Sequence, residues 1–238
     1  MSDAIGAFLH YLAVERGASA HTLRSYRSDI DRFQRFLEEQ GIDGFERVDG
    51  RLIRVYLARL LDARQSRASV GRALAAIRSC FRFMARRGLI EKNPARVVSS
   101  PRLPKKLVSF LPVDETWELL GNTAGGSPRE KRDRAMLELL YATGIRVSEL
   151  CGLDAADVDR SQRTLRVMGK GSKERVVPVG APALRAIGEY LAERLDEDGS
   201  LFRNSRGGRL TARSAHRIVR ARAREAGLAR RVSPHTLR

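Results

Sequence analysis

The sequence predicts a mainly α-helical protein with two domains, the second of which contains a small antiparallel β-sheet. Apolar residues recur every three or four positions through four segments of the first hundred residues. Four prolines follow between residues 94 and 112, and two short Val-containing runs then flank a glycine-containing turn at residues 169–173. A chain of 238 residues is long enough to build a hydrophobic core in each of two domains.

The first domain, residues 1–93, is expected to be a bundle of four amphipathic helices. The first helix covers residues 3–16, and the second begins after an N-cap at Ser19 and ends at Gly41. The third helix covers residues 50–63. The fourth has the clearest pattern, with apolar positions at Val70, Leu74, Ile77, Phe81 and Met84.

Residues 94–112 are expected to form an extended linker between the domains. Proline is disfavoured inside a helix or a central strand, and this stretch contains Pro94, Pro101, Pro104 and Pro112. The net charge is +8 for residues 1–103 and +9 for the remainder, so both halves are basic to the same degree. Two domains that close around a DNA duplex would carry such a balance.

The second domain, residues 113–238, is expected to combine helices with two hairpins. The first hairpin pairs strands at residues 164–167 and 175–179, and the second surrounds a turn at residues 204–208. One helix is expected to open near Arg146. The other helices of this domain are expected over residues 113–120, 129–141, 181–194 and 211–226.

The charge of the chain indicates a polyanionic partner. The 45 Lys and Arg residues outnumber the 28 Asp and Glu residues, for a net charge of +17, and six of the basic residues are lysine. An arginine-rich genome encoding an ordinary enzyme would explain the preference for Arg but not so large an excess over acids. Nucleic acid is therefore the favoured partner.

Composition and spacing exclude several other classes of protein. No apolar run approaches the roughly 18 residues of a membrane span, and no signal peptide is expected. Cys80 and Cys151 lie far apart and are expected to be reduced thiols of a cytoplasmic protein. No metal or other cofactor is expected, because the histidines are too scattered for a zinc site. They are His10, His21, His216 and His235.

Three places in the second domain could bring basic groups to one phosphate. Arg146 follows Thr143-Gly144 at a helix start, where backbone N–H groups and a guanidinium would face an anion. Lys170 lies at a glycine-flanked hairpin tip, and His235 and Arg238 would share one face of a helix. Arg can grip phosphate oxygens with two donors, whereas His and Lys can move protons, so these groups suit metal-free phosphoryl transfer.

Each of these signals also has a plainer explanation. A Gly-Lys-Gly-Ser-Lys turn is more often a solvated hairpin than a site, and this one lacks the spacing of a P-loop. A single Arg is more often a surface or duplex-contact residue. The His-Thr-Leu-Arg pattern at residues 235–238 also occurs at residues 21–24, where it is expected to be structural.

Longer segments, taken in order, resemble the tyrosine recombinase (phage integrase) family. Residues 132–137 and 141–150 are similar to the first conserved box of that family, and residues 167–175 are similar to the lysine-bearing hairpin of its Xer branch. Residues 234–238, Pro-His-Thr-Leu-Arg, resemble the start of the second box.

The first domain is similar to the core-binding domain of the same branch. The similar positions are residues 14–16 with Ser19, Thr22 and Tyr26. The resemblance covers essentially the whole chain and favours a XerC- or XerD-like recombinase. It implies a four-helix core-binding (SAM-like) domain followed by an α+β catalytic domain whose C-terminal part is missing.

The resemblance implies a role for each candidate residue. Arg146 and Arg238 would clamp the scissile phosphate, Lys170 would protonate the leaving 5′-oxygen, and His235 would assist proton transfer. Glu149, one turn after Arg146, would support the site. In the family a tyrosine attacks the phosphate and forms a 3′-phosphotyrosyl link without metal or ATP.

The sequence departs from the family at this nucleophile. The family's tyrosine lies downstream of the second arginine, and Arg238 is the last residue here. We therefore expect a truncated chain that binds DNA but does not cleave it. None of the tyrosines present matches the nucleophile; they are Tyr11, Tyr26, Tyr56, Tyr141 and Tyr190.

The expected partners follow from the resemblance. They are a double-stranded DNA recombination site and, for the complete protein, a second Xer-type recombinase in a homo- or hetero-tetramer, with no membrane involved. The expected role is resolution of chromosome or plasmid dimers in the cytoplasm, at the nucleoid. The alternative is a non-catalytic DNA-binding protein derived from a recombinase. The expected DNA contacts, some of which could instead be an ordinary solvated face, are Thr22, Arg27, Arg72, Arg82, Arg86, Lys173 and Arg175.

Overall fold

The computed structural model describes residues 1–102, 111–121, 126–169, 173–194 and 199–237. The chain divides into two compact units, Met1–Lys106 and Leu107–Arg238, each with its own hydrophobic core. Within the described ranges, no helix combines the length and the apolarity needed to cross a membrane.

The described part of the first unit contains four α-helices, as the periodicity predicts. They are α1 (Ser2–Val14), α2 (Ala20–Glu39), α3 (Gly50–Asp62) and α4 (Arg67–Arg86). Ser19 is confirmed as the N-cap of α2, because its Oγ accepts a hydrogen bond from the Thr22 amide at 3.2 Å. Asp49 and Ser66 cap α3 and α4 in the same way. The apolar faces meet in a core that includes Phe33 and Phe81, each 1% exposed.

The expected linker does not begin at residue 94. Pro94–Val97 form a 3-10 helix, and Ala95 and Val98 are buried in the core of the first unit. Arg78 on α4 holds this segment, because its Nε donates to Ala95 O at 3.1 Å and its Nη2 donates to Val98 O. Small apolar residues between the prolines thus extend the first unit beyond the expected boundary.

The second unit is mainly helical in its described part. Its helices are α5 (Val113–Gly121), α6 (Pro128–Thr143), α7 (Val147–Gly152), α8 (Ala181–Leu191) and α9 (Ala212–Glu225). Helix α6 packs against α8, and α9 packs against α7. Ser127 and Glu130 form a capping box at the start of α6.

A three-stranded antiparallel sheet of order β1-β2-β3 completes this unit. Its strands are β1 (Val158–Asp159), β2 (Thr164–Met168) and β3 (Glu174–Pro178). The predicted hairpin is confirmed, with Val167 opposite Arg175 and Met168 opposite Glu174. The sequence did not predict β1, which is two residues long. The second expected hairpin is reduced to one bridge between Arg203 and Arg209.

Candidate active site

A left-handed glycine places Arg146 at the start of α7. Gly144 ends α6 with φ of 58°, a conformation that disfavours residues with a Cβ. Ile145 is then buried in the core at 1% exposure, which fixes the chain, and Arg146 becomes the N-cap of α7. The Arg146 side chain is 52% exposed, so its guanidinium is accessible to a ligand.

Glu149 is the buried acceptor of this site. Its Oε2 accepts the Arg146 amide at 2.8 Å, and its Oε1 accepts Arg146 Nη1 at 2.9 Å. Arg175 on β3 donates to the same carboxylate with both terminal nitrogens, at 3.0 and 2.8 Å. The Arg175 hydrogen bonds, followed by those from Arg146, lower the pKa of Glu149 to about 2 against the opposing effect of burial. Glu149 therefore stays ionised and orients both guanidinium groups.

The end of β2 and the start of β3 lie beside Arg146, Glu149 and Arg175. Gly169, the residue directly before Lys170, donates its N–H to Lys173 O at 2.7 Å. Lys173 is exposed, and the expected site residue Lys170 lies outside the described residues.

The C-terminal turn presents His235 to solvent. Pro234 and Leu237 are buried on either side of it, and Thr236 Oγ1 donates to Ser233 O at 2.7 Å. Residues 234–237 form a turn rather than the helix that would align His235 with Arg238, and Arg238 lies outside the described residues.

His216 on α9 lies next to His235, which the sequence did not indicate. The two ring centroids are 6.3 Å apart. Burial, and then the charges of His235 and Arg220, lower the pKa of His216. His216 is therefore favoured in its neutral form near pH 7, beside an exposed histidine.

An arginine stripe on α9 was also missed as a candidate. Its members are exposed, recur at 4-3-4 spacing and have no ion pair within the described part of the chain: Arg213, Arg217, Arg220 and Arg224. With His216 they line one open groove. Ala215, Val219 and Ala223 bury the opposite face. The spacing alone could have revealed this stripe, because arginines at such positions share one face of a helix.

The candidate DNA contacts of the first unit differ in their freedom to bind phosphate. Arg27, Arg82 and Arg86 are exposed. Arg72 instead donates to Asp29 at 2.8 and 3.1 Å, and Asp29 is 1% exposed. The Arg72 side chain stays 49% exposed while it pairs with this buried carboxylate, so its role as a DNA contact remains a prediction. The Thr22 amide is likewise occupied by Ser19.

Comparisons with known proteins support one family. A family model described as "Phage integrase family" matches residues 109–238, and one described as "Phage integrase, N-terminal SAM-like domain" matches residues 5–88. Tyrosine recombinase XerC of Halalkalibacterium halodurans is 41% identical over 244 residues, which cover 98% of this chain and 80% of that protein. The chain belongs to the phage integrase family of tyrosine recombinases.

Further relatives agree with this assignment. Tyrosine recombinase XerD of Mycobacterium tuberculosis is 40% identical, over 97% of this chain and 80% of that protein. The crystal structure of a lambda integrase (75–356) dimer bound to a COC' core site superposes with a TM-score of 0.78 at 20% identity, covering 100% of this chain and 86% of that one. That likeness confirms the predicted fold of this tyrosine recombinase, a SAM-like helical domain followed by an α+β catalytic domain.

Proposed function

We propose that residues 1–238 form the DNA-binding part of a Xer-type site-specific recombinase that holds one backbone phosphate for metal-free transesterification. The observation that carries this proposal is the cluster of Arg146, Glu149 and Arg175. A buried carboxylate that accepts four hydrogen bonds holds the half-exposed Arg146 guanidinium in a fixed orientation, as a phosphate clamp requires.

The proposed roles follow the family's chemistry. Arg146 and Arg238 bind the scissile phosphate, Lys170 protonates the leaving 5′-oxygen, and His235 assists proton transfer. A tyrosine would form the 3′-phosphotyrosyl link, which conserves the energy of the phosphodiester bond so that strands can be rejoined. The proposed biological role is resolution of chromosome or plasmid dimers, in the cytoplasm with the nucleoid and together with a second Xer-type subunit.

Eight of the exposed cations are proposed to bind the duplex. They are Arg27, Arg82, Arg86 and Lys173 together with the four arginines of the α9 stripe. If each of these eight side chains contacts one phosphate, the logarithm of the association constant for duplex DNA should fall with the logarithm of the salt concentration at a slope of about −7. Titration of a duplex with this chain at several salt concentrations tests the proposal, and a flat response would refute it.

We expect these 238 residues to bind DNA without cleaving it, and the burial of two tyrosines supports this expectation. Tyr56 and Tyr190 are buried, and Tyr190 Oη accepts the Arg203 amide at 3.3 Å. Burial raises the pKa of Tyr56 to about 12, which disfavours a nucleophilic phenolate. Tyr11 and Tyr26 are partly buried against the core of the first unit. Tyr141, on α6, is 48% exposed and does not match the family's nucleophile in sequence position. We expect no covalent adduct with a nicked suicide duplex; an adduct would show a nucleophile among these residues and exclude the alternative of a purely binding protein.

A further inference from the structure

Arg175, expected from the sequence to contact DNA, makes its described side-chain contacts within the protein. It lies on β3 opposite Val167, and its guanidinium reaches Glu149 on α7 although 40% of the side chain is exposed. Both terminal nitrogens are used, at 3.0 and 2.8 Å from the two carboxylate oxygens. A two-pronged pair of this kind fixes direction as well as distance.

Glu149 joins two elements that are separate in the chain. Each of its oxygens accepts one hydrogen bond from Arg146 and one from Arg175. The Glu149 side chain is 5% exposed, so water offers little alternative to these donors. The start of α7 and the β2–β3 hairpin are therefore tied through one carboxylate.

The backbone at Gly169 makes room for this tie. A Cβ added there would lie 3.2 Å from Arg175 Nη1, 3.2 Å from Lys173 O and 4.0 Å from Glu149 Oε1. The guanidinium thus passes directly beside the backbone of the residue that precedes Lys170. A side chain at position 169 would crowd it.

From this geometry we propose that Arg175 is a positioning residue, which fixes the hairpin bearing Lys170 to the start of α7 bearing Arg146, and that it acts through Glu149 rather than by contacting DNA. The functional part of this inference rests on the proposed recombinase chemistry. The physical tie between hairpin and helix is independent of that chemistry.

The test compares Arg175→Gln in two backgrounds, the otherwise unchanged 238-residue chain and the same chain carrying Glu149→Gln. The measurements are the amide hydrogen-exchange rate of Gly169 and the affinity for duplex DNA at 0.15 M salt. Lys173→Gln is the matched control, because it removes an equal charge from the same hairpin without touching Glu149. Circular dichroism of each variant confirms that it is folded.

A positioning role predicts effects that depend on Glu149. In the otherwise unchanged chain, Arg175→Gln should raise the amide exchange rate of Gly169 at least tenfold. In the chain that already carries Glu149→Gln, adding Arg175→Gln should raise that rate less than twofold and should not weaken duplex binding. Lys173→Gln should leave Gly169 exchange unchanged and cost about fivefold in affinity in both backgrounds, as one lost phosphate contact does.

Two results would overturn the inference. One is an affinity loss of about fivefold from Arg175→Gln in both backgrounds with Gly169 exchange unchanged, which is the behaviour of a direct phosphate contact. The other needs no variant and can overturn the inference even if the variants misfold. Carbon-13 titration of the Glu149 carboxyl in the unchanged chain should show a pKa of about 2, and a value near the ordinary 4.5 would show that the tie is absent. If the chain binds no duplex, the recombinase proposal fails, while the exchange and titration results still decide the tie.

Discussion

The arginine stripe on α9 supplies a prediction whose size follows from the structure. Arg217 and Arg220 are exposed and have no ion pair in the described part of the chain, whereas Arg222 on the same helix donates to Asp133 and Glu225. Arg217→Gln combined with Arg220→Gln should remove two phosphate contacts. The salt slope then becomes less steep by about 1.8, and duplex affinity falls about 30-fold at 0.15 M salt.

Arg222→Gln is the matched control for that double variant. The Arg222 side chain is 12% exposed and is neutralised by Asp133 and Glu225. Its replacement should therefore destabilise the second unit without changing the salt slope. Fluorescence anisotropy of a labelled duplex between 0.1 and 0.4 M salt measures both slopes. An unchanged slope in the double variant, or an equal change in Arg222→Gln, would refute the assignment of this helix face to DNA.

Three further predictions concern stability and reactivity. Glu149→Gln should lower the free energy of unfolding of the second unit by about 3 kcal/mol at pH 7. The ionised Glu149, whose pKa falls from 4.5 to about 2 on folding, stabilises the fold above pH 4.5, and this contribution is lost as pH falls toward 2. Urea unfolding of the unchanged chain from pH 2 to 7 measures the contribution, and a flat pH dependence would contradict it. Arg72→Met should cost about 2 kcal/mol by leaving Asp29 buried without its partner, yet leave the salt slope unchanged, and a shallower slope would restore Arg72 as a DNA contact. Burial raises the pKa of Cys80 to about 12 and that of Cys151 to about 11. Both thiols should therefore react with a disulfide reagent at pH 8 only when urea unfolds the chain, and rapid native labelling would show otherwise.

Local patterns in the sequence were enough for the helices and the main hairpin. The 3-4 spacing from Val70 to Met84 and the N-cap at Ser19 act within one or two turns, and each appears in the structure where the pattern predicts it. The linker begins later than its prolines predict, because Ala95 and Val98 are buried in the core of the first unit. Their burial depends on α3 and α4, which no local pattern specifies.

The contacts of the site could be predicted only in part. The sequence indicated Arg146 and Glu149, which are three residues apart, but the Glu149–Arg175 pair spans 26 residues. Arg72 lies on the polar side of its helix, and only tertiary packing brings Asp29 to it. The approach of His216 to His235 likewise depends on how α9 meets the C-terminal turn.

The central claim, that Arg146 grips one backbone phosphate, can be tested on a duplex selected for binding from a random pool. Single phosphates of that duplex are replaced in turn by uncharged methylphosphonates, and affinity is measured for the unchanged chain and for Arg146→Gln. We expect one position in each half-site where the replacement lowers the affinity of the unchanged chain about tenfold. The same replacement should leave the affinity of Arg146→Gln almost unchanged, because that variant has already lost the charge-assisted hydrogen bond to this phosphate. Equal losses in both proteins at every position would contradict the claim.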